Sequence, residues 1–253
     1  MNFEYVKSTV ETQIKRYLGN RKAIVGISGG IDSAVVASLC VNALGRDNVI
    51  GIQMPYGEQS TKDGSALLAH LEIKDIIVNI KHIVQSFPLP LLPSIDQNAD
   101  LNRMTNGNVR ARVRMTLLYA YAGSFNGMVI GTSNKTEIML GYFTKYGDGG
   151  CDIEPIGDIY KTDVFGLAKI LGIPEAIITK KPSAELWEGQ TDEGEIGMTY
   201  AEIDEMFRAY LKDEMINLRD FYEKYGRKGE MLIQRYINTE HKRRMPPVFF
   251  VGE

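Results

Sequence analysis

The chain has 253 residues, of which 44% are hydrophobic and 24% charged, and a net charge of −3. That length supports one substantial apolar core, and the near-balanced charge excludes a broadly basic nucleic-acid-binding surface. Two cysteines, Cys40 and Cys151, without CxxC or metal-finger spacing, exclude a disulfide framework and fit a reducing compartment.

The N-terminus, "MNFEYVKSTVETQIKRY", carries charge throughout and holds no apolar signal core. The uncharged run from Ser33 to Gly45 falls short of the ~18 residues of a membrane span. A cytoplasmic protein that binds neither membrane nor nucleic acid is the expectation.

Phe3, Val6, Val10, Ile14 and Leu18 recur at three- and four-residue steps, which predicts an amphipathic helix ending at Gly19. "KAIVGI" (22–27) reads as a buried strand, "DSAVVASLCVNALG" as a helix and "NVIGIQM" (48–54) as a second strand. Residues 60–71 read as a helix and "DIIVNI" (75–80) as a third strand. The prolines of 88–100 predict a loop, and a long helix runs from about Asn108 to Ser124, with "GMVIGT" (127–132) as a fourth strand. "EPIGDIYKTDVFGLAKILGIPEAII" supplies a helix, a Gly-Ile-Pro break and a short helix. The last fifty residues read as three helices, over "TYAEIDEMFRAYL", "MINLRDFYEKYG" and "GEMLIQRYINTEHKRRM".

Strands that alternate with helices and lack period-two polarity predict a parallel sheet covered on both faces. The expected fold class is a doubly wound α/β domain with a helical C-terminal section, as one domain over 1–253.

The strand at 22–27 runs directly into Gly26-Ile27-Ser28-Gly29-Gly30-Ile31-Asp32-Ser33 and then a helix. Glycines let backbone N–H groups approach an oxyanion, and a helix start adds unpaired N–H groups and a partial positive charge. Ser28 and Ser33 add hydroxyl donors. Asp32 is the odd member, since a carboxylate repels phosphate unless it holds a magnesium ion that bridges to it. The plainer alternative is a glycine turn with Asp32 or Ser33 as a helix cap.

The string resembles the pyrophosphate loop of the N-type ATP pyrophosphatases, which split ATP between the α and β phosphates. Five further blocks follow in order: "GNVRARVRM" (107–115), "GTSNKTE" (131–137), "GYFTKYGDGGCD" (141–152), "YKTDVFGLAKILGIP" (160–174) and "KPSAELWEGQTDE" (181–193). Together with the loop they resemble the ammonia-dependent NAD synthetases, over nearly the whole chain from residue 22 to Arg243. The resemblance implies an adenine nucleotide alpha hydrolase-like fold and a two-step reaction. The nicotinate carboxylate of deamido-NAD is adenylated by ATP with release of pyrophosphate, and ammonia then displaces AMP to give NAD.

It implies that residues 26–33, Thr132, Lys161 and Ser183 contact ATP; the family often has threonine in place of Ser183, so a hydroxyl is kept. Asp32 and Glu137 are the implied magnesium ligands, and Lys161 offsets charge on the phosphates. Arg112, Lys145, Asp152, His241 and Lys242 are implied to bind deamido-NAD, although Arg110 and Arg114 lie on the same predicted helix and His241-Lys242 also suits a helix end. Asp148, between glycines, is the implied acceptor of the ammonium proton; it equally fits a turn aspartate.

His70 and His82 read as packing or surface residues, Cys40 as core and Cys151 as small-residue packing beside the site. Trp187 is a candidate cover for the site. The loop begins by residue 26 and both cysteines precede residue 153, so free ammonia rather than a glutamine amidase is the expected donor. A homodimer is also implied. Rival readings are a tRNA-thiolating or GMP synthetase-like enzyme of the same superfamily, and a non-catalytic nucleotide-binding module.

Overall fold

Four short strands form the sheet of the computed structural model, which describes residues 1–87, 99–180, 191–212 and 218–251. They are β1 (Lys22–Gly26), β2 (Val49–Gln53), β3 (Lys74–Ile77) and β4 (Gly127–Ile130). All described pairings are parallel, and the order is β3-β2-β1-β4. Ile24 of β1 stands opposite Ile50 on one side and Val129 on the other.

Alternation along the strands divides the core in two. Ala23, Val25, Val49, Met128 and Ile130 point into one apolar layer, and Ile24, Ile50, Ile52 and Val129 into the other. Both faces of β1, β2 and β4 are covered, so these strands read as apolar runs rather than as alternating ones, whereas the edge strand β3 is largely exposed.

The first layer is closed by α1 (Phe3–Leu18), α2 (Ile31–Leu44), α3 (Lys62–His70), α7 (Lys161–Ile170) and α8 (Glu175–Ile178). Asn2 caps α1 by accepting the Tyr5 N–H at 3.1 Å, and Gly19 ends it at a φ of 58°. Every residue of α2 from Ser33 to Cys40 is buried. A side chain at Gly51 would stand 2.2 Å from Leu68, so glycine lets α3 lie directly on β2. The second layer is closed by α4 (Lys81–Gln85) and α5 (Ala99–Phe125).

A separate apolar cluster joins α6 (Lys135–Leu140), α9 (Asp192–Ile196), α10 (Tyr200–Lys212) and α11 (Leu218–Asn238) through Leu140, Ile196, Phe207, Phe221 and Leu232. The last helix is α12 (Glu240–Arg243).

Strand and helix types follow the sequence reading, with differences at the edges. α5 begins at Ala99 rather than near Asn108, and residues 103–106 are exposed, so no apolar periodicity marks that start. Residues 88–98 of the expected loop lie outside the described residues. The helices α4, α6 and α9 are too short to show a helical period and were not expected. The two helices expected on either side of Gly226 are both present within α11, parted where that glycine adopts φ 55° and ψ −144°; residues 215–217 of the first lie outside the described residues.

The order of the strands reverses at β1, with β2 and β3 on one side and β4 on the other. The crevice beyond the carboxyl ends of β1 and β4 is therefore the topological switch point, where open α/β sheets bind ligands. No helix among the described residues is long and apolar enough to cross a membrane.

Candidate active site

The chain leaves β1 through Gly26–Ser33 and enters α2 at the switch point. Gly29 takes a φ of 79°, and a Cβ there would stand 3.2 Å from Cβ of Asp63 and 3.3 Å from the Gly64 nitrogen at the start of α3. Glycine answers both demands, the turn and the close approach. The two serines stitch the bend: Ser33 Oγ donates to the Gly30 carbonyl at 3.0 Å and accepts the Ser28 N–H at 3.3 Å, while Ser28 Oγ accepts the Gly30 N–H at 3.2 Å. The loop is shaped before any ligand arrives.

Three helix starts converge on this place. Asp32 lies in the first turn of α2, Glu137 in that of α6, and Lys161 is the first residue of α7. The Lys161 ammonium pairs with Asp32 and, at 3.4 Å, with Glu137, and its side chain is only 2% exposed. Asn134 links the two acids. Its amide donates to Asp32 Oδ1 at 2.9 Å, its oxygen accepts the Glu137 N–H at 3.0 Å, and its own N–H donates to Glu137 Oε2 at 3.2 Å. The last two bonds form a capping box on α6.

Burial alone would lower the Lys161 pKa, but Asp32 and Glu137 outweigh it and hold the ammonium above its usual value. Burial lifts the Glu137 carboxyl to about 8, partly offset by Lys161 and reinforced by Asp32. One cation between two acids leaves a net negative charge when both ionise. Hard carboxylate oxygens that each keep a spare lone pair suit magnesium. No group of three or more His, Cys, Asp or Glu placed to hold a metal occurs among the described residues.

A cavity of about 480 Å³ opens over the loop, walled by Thr132, Asp148, Cys151, Arg114 and Lys242 besides the three charged residues. Asp148 accepts the Thr144 N–H at 2.9 Å. Surrounding protein lifts its carboxyl above the usual range, while the Thr144 amide and Lys242 pull the other way. Asp148 is itself exposed to solvent, which moderates that lift. Lys242 donates to the Gly141 and Phe143 carbonyls at 2.7 Å each, tying α12 to the segment that carries Asp148.

The residues read from sequence divide into two groups. Those of 26–33, apart from Gly29, line the cavity with Thr132, Glu137, Asp148, Lys161 and Lys242. Arg112, Lys145, Asp152 and His241 do not. Three of them make an outer strip: Arg112 donates to the Lys145 carbonyl at 3.3 Å and the Lys145 ammonium to the His241 carbonyl at 2.5 Å. Asp152 accepts the Val129 N–H at 2.7 Å and the Tyr119 hydroxyl at 3.2 Å. On α5 it is Arg114 that faces the cavity, donating to the Met54 carbonyl at 3.0 Å and to Gln59 at 3.2 Å.

Ser183 and Trp187 lie outside the described residues. His70 and His82 are exposed, and burial pushes the Cys40 thiol up to about 12. Cys151 donates to Glu154 at 3.2 Å, and burial holds its thiol well above the ordinary range, so neither cysteine is poised as a nucleophile.

Sequence reading missed Asn134, although Asn-x-x-Glu ahead of an apolar run is a capping signal. It also missed Asp204 of α10, which is 2% exposed and accepts from the Thr136 hydroxyl and, at 2.9 Å, from the Thr162 N–H. Thr136 in turn accepts the Lys161 N–H at 3.0 Å, so Asp204 fixes the starts of α6 and α7. Only the tertiary fold brings it there.

A sequence profile described as NAD synthase matches residues 2–246. The chain belongs to the NAD synthase family. Among curated NAD synthases, NH(3)-dependent NAD(+) synthetase of Methanosarcina mazei is 46% identical over 91% of this chain and 90% of its own. That of Pyrococcus furiosus is 43% identical over 97% and 94%. Two solved structures have the same fold, the adenine nucleotide alpha hydrolase-like one. NH3-dependent NAD synthetase from Campylobacter jejuni superposes with a TM-score of 0.80 at 32% identity, over 99% of this chain and all of the other. NMN synthetase from Francisella tularensis superposes at 0.82 and 34%, over 98% of each.

Proposed function

We propose that this cavity carries out the NAD synthase reaction with free ammonia. The carboxylate of deamido-NAD attacks the α-phosphorus of ATP, the bond to the β-phosphate breaks, and pyrophosphate leaves. The ammonia nitrogen then bonds to the acyl carbon and the bond to AMP breaks, giving NAD. The observation that carries this reading is the meeting of Asp32, Glu137 and Lys161 above a pre-shaped glycine-serine loop at the switch point.

Residues 26–33 cradle the departing pyrophosphate with backbone N–H groups and the Ser28 and Ser33 hydroxyls. Thr132 and Ser183 contact ATP. Asp32 and Glu137 hold Mg2+, which when bound neutralises charge on the phosphates. Lys161, kept protonated between the two acids, offsets the charge that builds on the leaving oxygen.

Asp148 attracts ammonium and takes one proton; the electron pair of the broken N–H bond stays on nitrogen as the lone pair that attacks. Arg112, Lys145, Asp152, His241 and Lys242 bind deamido-NAD. The first four lie outside the ATP cavity, as expected of a dinucleotide that reaches beyond the reacting carboxylate. The exposure of Arg112, Asp152, His241 and Tyr119 supports a homodimer that closes over this face. The chain is read as one domain over 1–253 working in the cytoplasm, without nucleic-acid or membrane partners.

A thiolating enzyme would want a reactive cysteine and a basic surface, and the raised Cys151 thiol and net charge of −3 speak against it. Asp32, Glu137 and Lys161 together speak against a module that binds nucleotide without catalysis. The test is a reaction of purified protein with Mg2+, ATP, ammonium and either deamido-NAD or nicotinate mononucleotide. NAD, AMP and pyrophosphate should form in equal amounts from deamido-NAD, with the mononucleotide a poor substrate. ADP and orthophosphate as products would reject the cleavage, and preference for the mononucleotide would reassign the substrate.

A further inference from the structure

The cationic side chains that wall the cavity are differently committed. Lys161 is buried between Asp32 and Glu137, Arg114 is bonded to Met54 and Gln59, Arg235 to the Leu140 carbonyl, and Lys242 to two backbone carbonyls. Lys180, which follows α8, also lines the cavity, and its ammonium lies 2.9 Å from Asp63 Oδ2. Both partners are partly solvated, at 33% and 44% side-chain exposure, so water screens the pair.

The place of Asp63 matters more than the strength of the bond. It stands in the first turn of α3, packed against Gly29, at the crest of the bend that is read as the pyrophosphate cradle. A bound triphosphate would bring several negative charges up to the Asp63 carboxylate and its lysine. The ammonium would turn from a single carboxylate to an anion of several charges, whose oxygens accept the same kind of charge-assisted hydrogen bond.

We propose that Lys180 is a further phosphate-binding residue, held by Asp63 beside the loop and transferred to the polyphosphate of ATP when the nucleotide binds. This rests on the reading of 26–33 as the cradle. Lys180 and Lys161 then act at different ends. Lys161 works from the base of the site beside the metal ligands, whereas Lys180 grips the pyrophosphate portion from the α3 side and retains it after cleavage. Lys180 touches substrate directly; Asp63 holds it in the free enzyme and competes with the phosphates for it.

The test compares Lys180→Met, Lys180→Arg and Asp63→Asn with wild type, reading the KM for ATP, inhibition by added magnesium pyrophosphate and the KM for ammonium. Loss of one charge-assisted contact corresponds to roughly a tenfold weakening or more. Lys180→Met should weaken pyrophosphate inhibition and raise the KM for ATP by about that factor, with the KM for ammonium unmoved, and Lys180→Arg should restore most of it. Asp63→Asn should tighten pyrophosphate inhibition, because a competing anion is gone. Unchanged inhibition in Lys180→Met would overturn the proposal, as would Asp63→Asn weakening it as much as Lys180→Met does. A wild-type enzyme that releases no pyrophosphate would instead overturn the reading of the cradle.

Discussion

Asn134 reaches across 102 residues of sequence to Asp32 and also holds Glu137: its amide donates to Asp32 Oδ1 at 2.9 Å and its oxygen accepts the Glu137 N–H at 3.0 Å. One side chain thus caps α6 and orients both proposed metal ligands. Asn134→Ala should lower stability by about 1 kcal/mol, the usual loss for a helix cap. It should also raise the Mg2+ concentration for half-maximal activity several-fold. Denaturant melts and a magnesium titration measure the two effects separately, and a variant with only the first would confine Asn134 to capping.

The fold was legible because both of its signals are local. Buried strands such as 22–26 and helices such as 3–18 declare themselves by apolar runs and periodicity, and the strand-loop-helix context marks 26–33. What was not legible is what the fold assembles from afar. Asp204 reads as one acid among many on an amphipathic helix, yet it is buried against the starts of α6 and α7. Arg112 and Arg114 are indistinguishable in sequence, and only the rotation of α5 against the sheet turns Arg114 to the cavity and Arg112 to the outer strip.

Lys161→Met leaves Asp32 and Glu137 facing each other without their shared cation. Turnover should fall by about a hundredfold or more, the usual effect of removing one preorganised charge from a transition state. The KM for ammonium should change little. Steady-state kinetics at saturating magnesium checks this, and a loss confined to the KM for ATP would reduce Lys161 to a binding role.

Asp204→Asn exchanges an ionised acceptor for a neutral one beneath Thr136 and Thr162. The lost charge-assisted bonds should cost about 2 kcal/mol of stability. Urea unfolding at neutral pH should show a lower midpoint with an unchanged slope.

Glu154 gives a pH signature. It accepts the Ser133 N–H at 3.0 Å and the Cys151 thiol at 3.2 Å, and burial lifts its pKa to about 7 from 4.5. Between these values the folded state holds more protons than the unfolded one, so its contribution to stability falls as pH rises through that window. Thermal melts from pH 4.5 to 8 should show a shallower decline for Glu154→Gln than for wild type. Equal slopes would place the carboxyl in a more solvated setting.

The most direct measurement follows an oxygen atom. If the nicotinate carboxylate attacks the α-phosphorus, deamido-NAD labelled with heavy oxygen in that carboxylate must pass one labelled oxygen to AMP each turnover. Mass spectrometry of the products should find the label in AMP and the remaining carboxyl oxygen in NAD, with pyrophosphate unlabelled. Unlabelled AMP, or label in pyrophosphate, would contradict adenylation at this site.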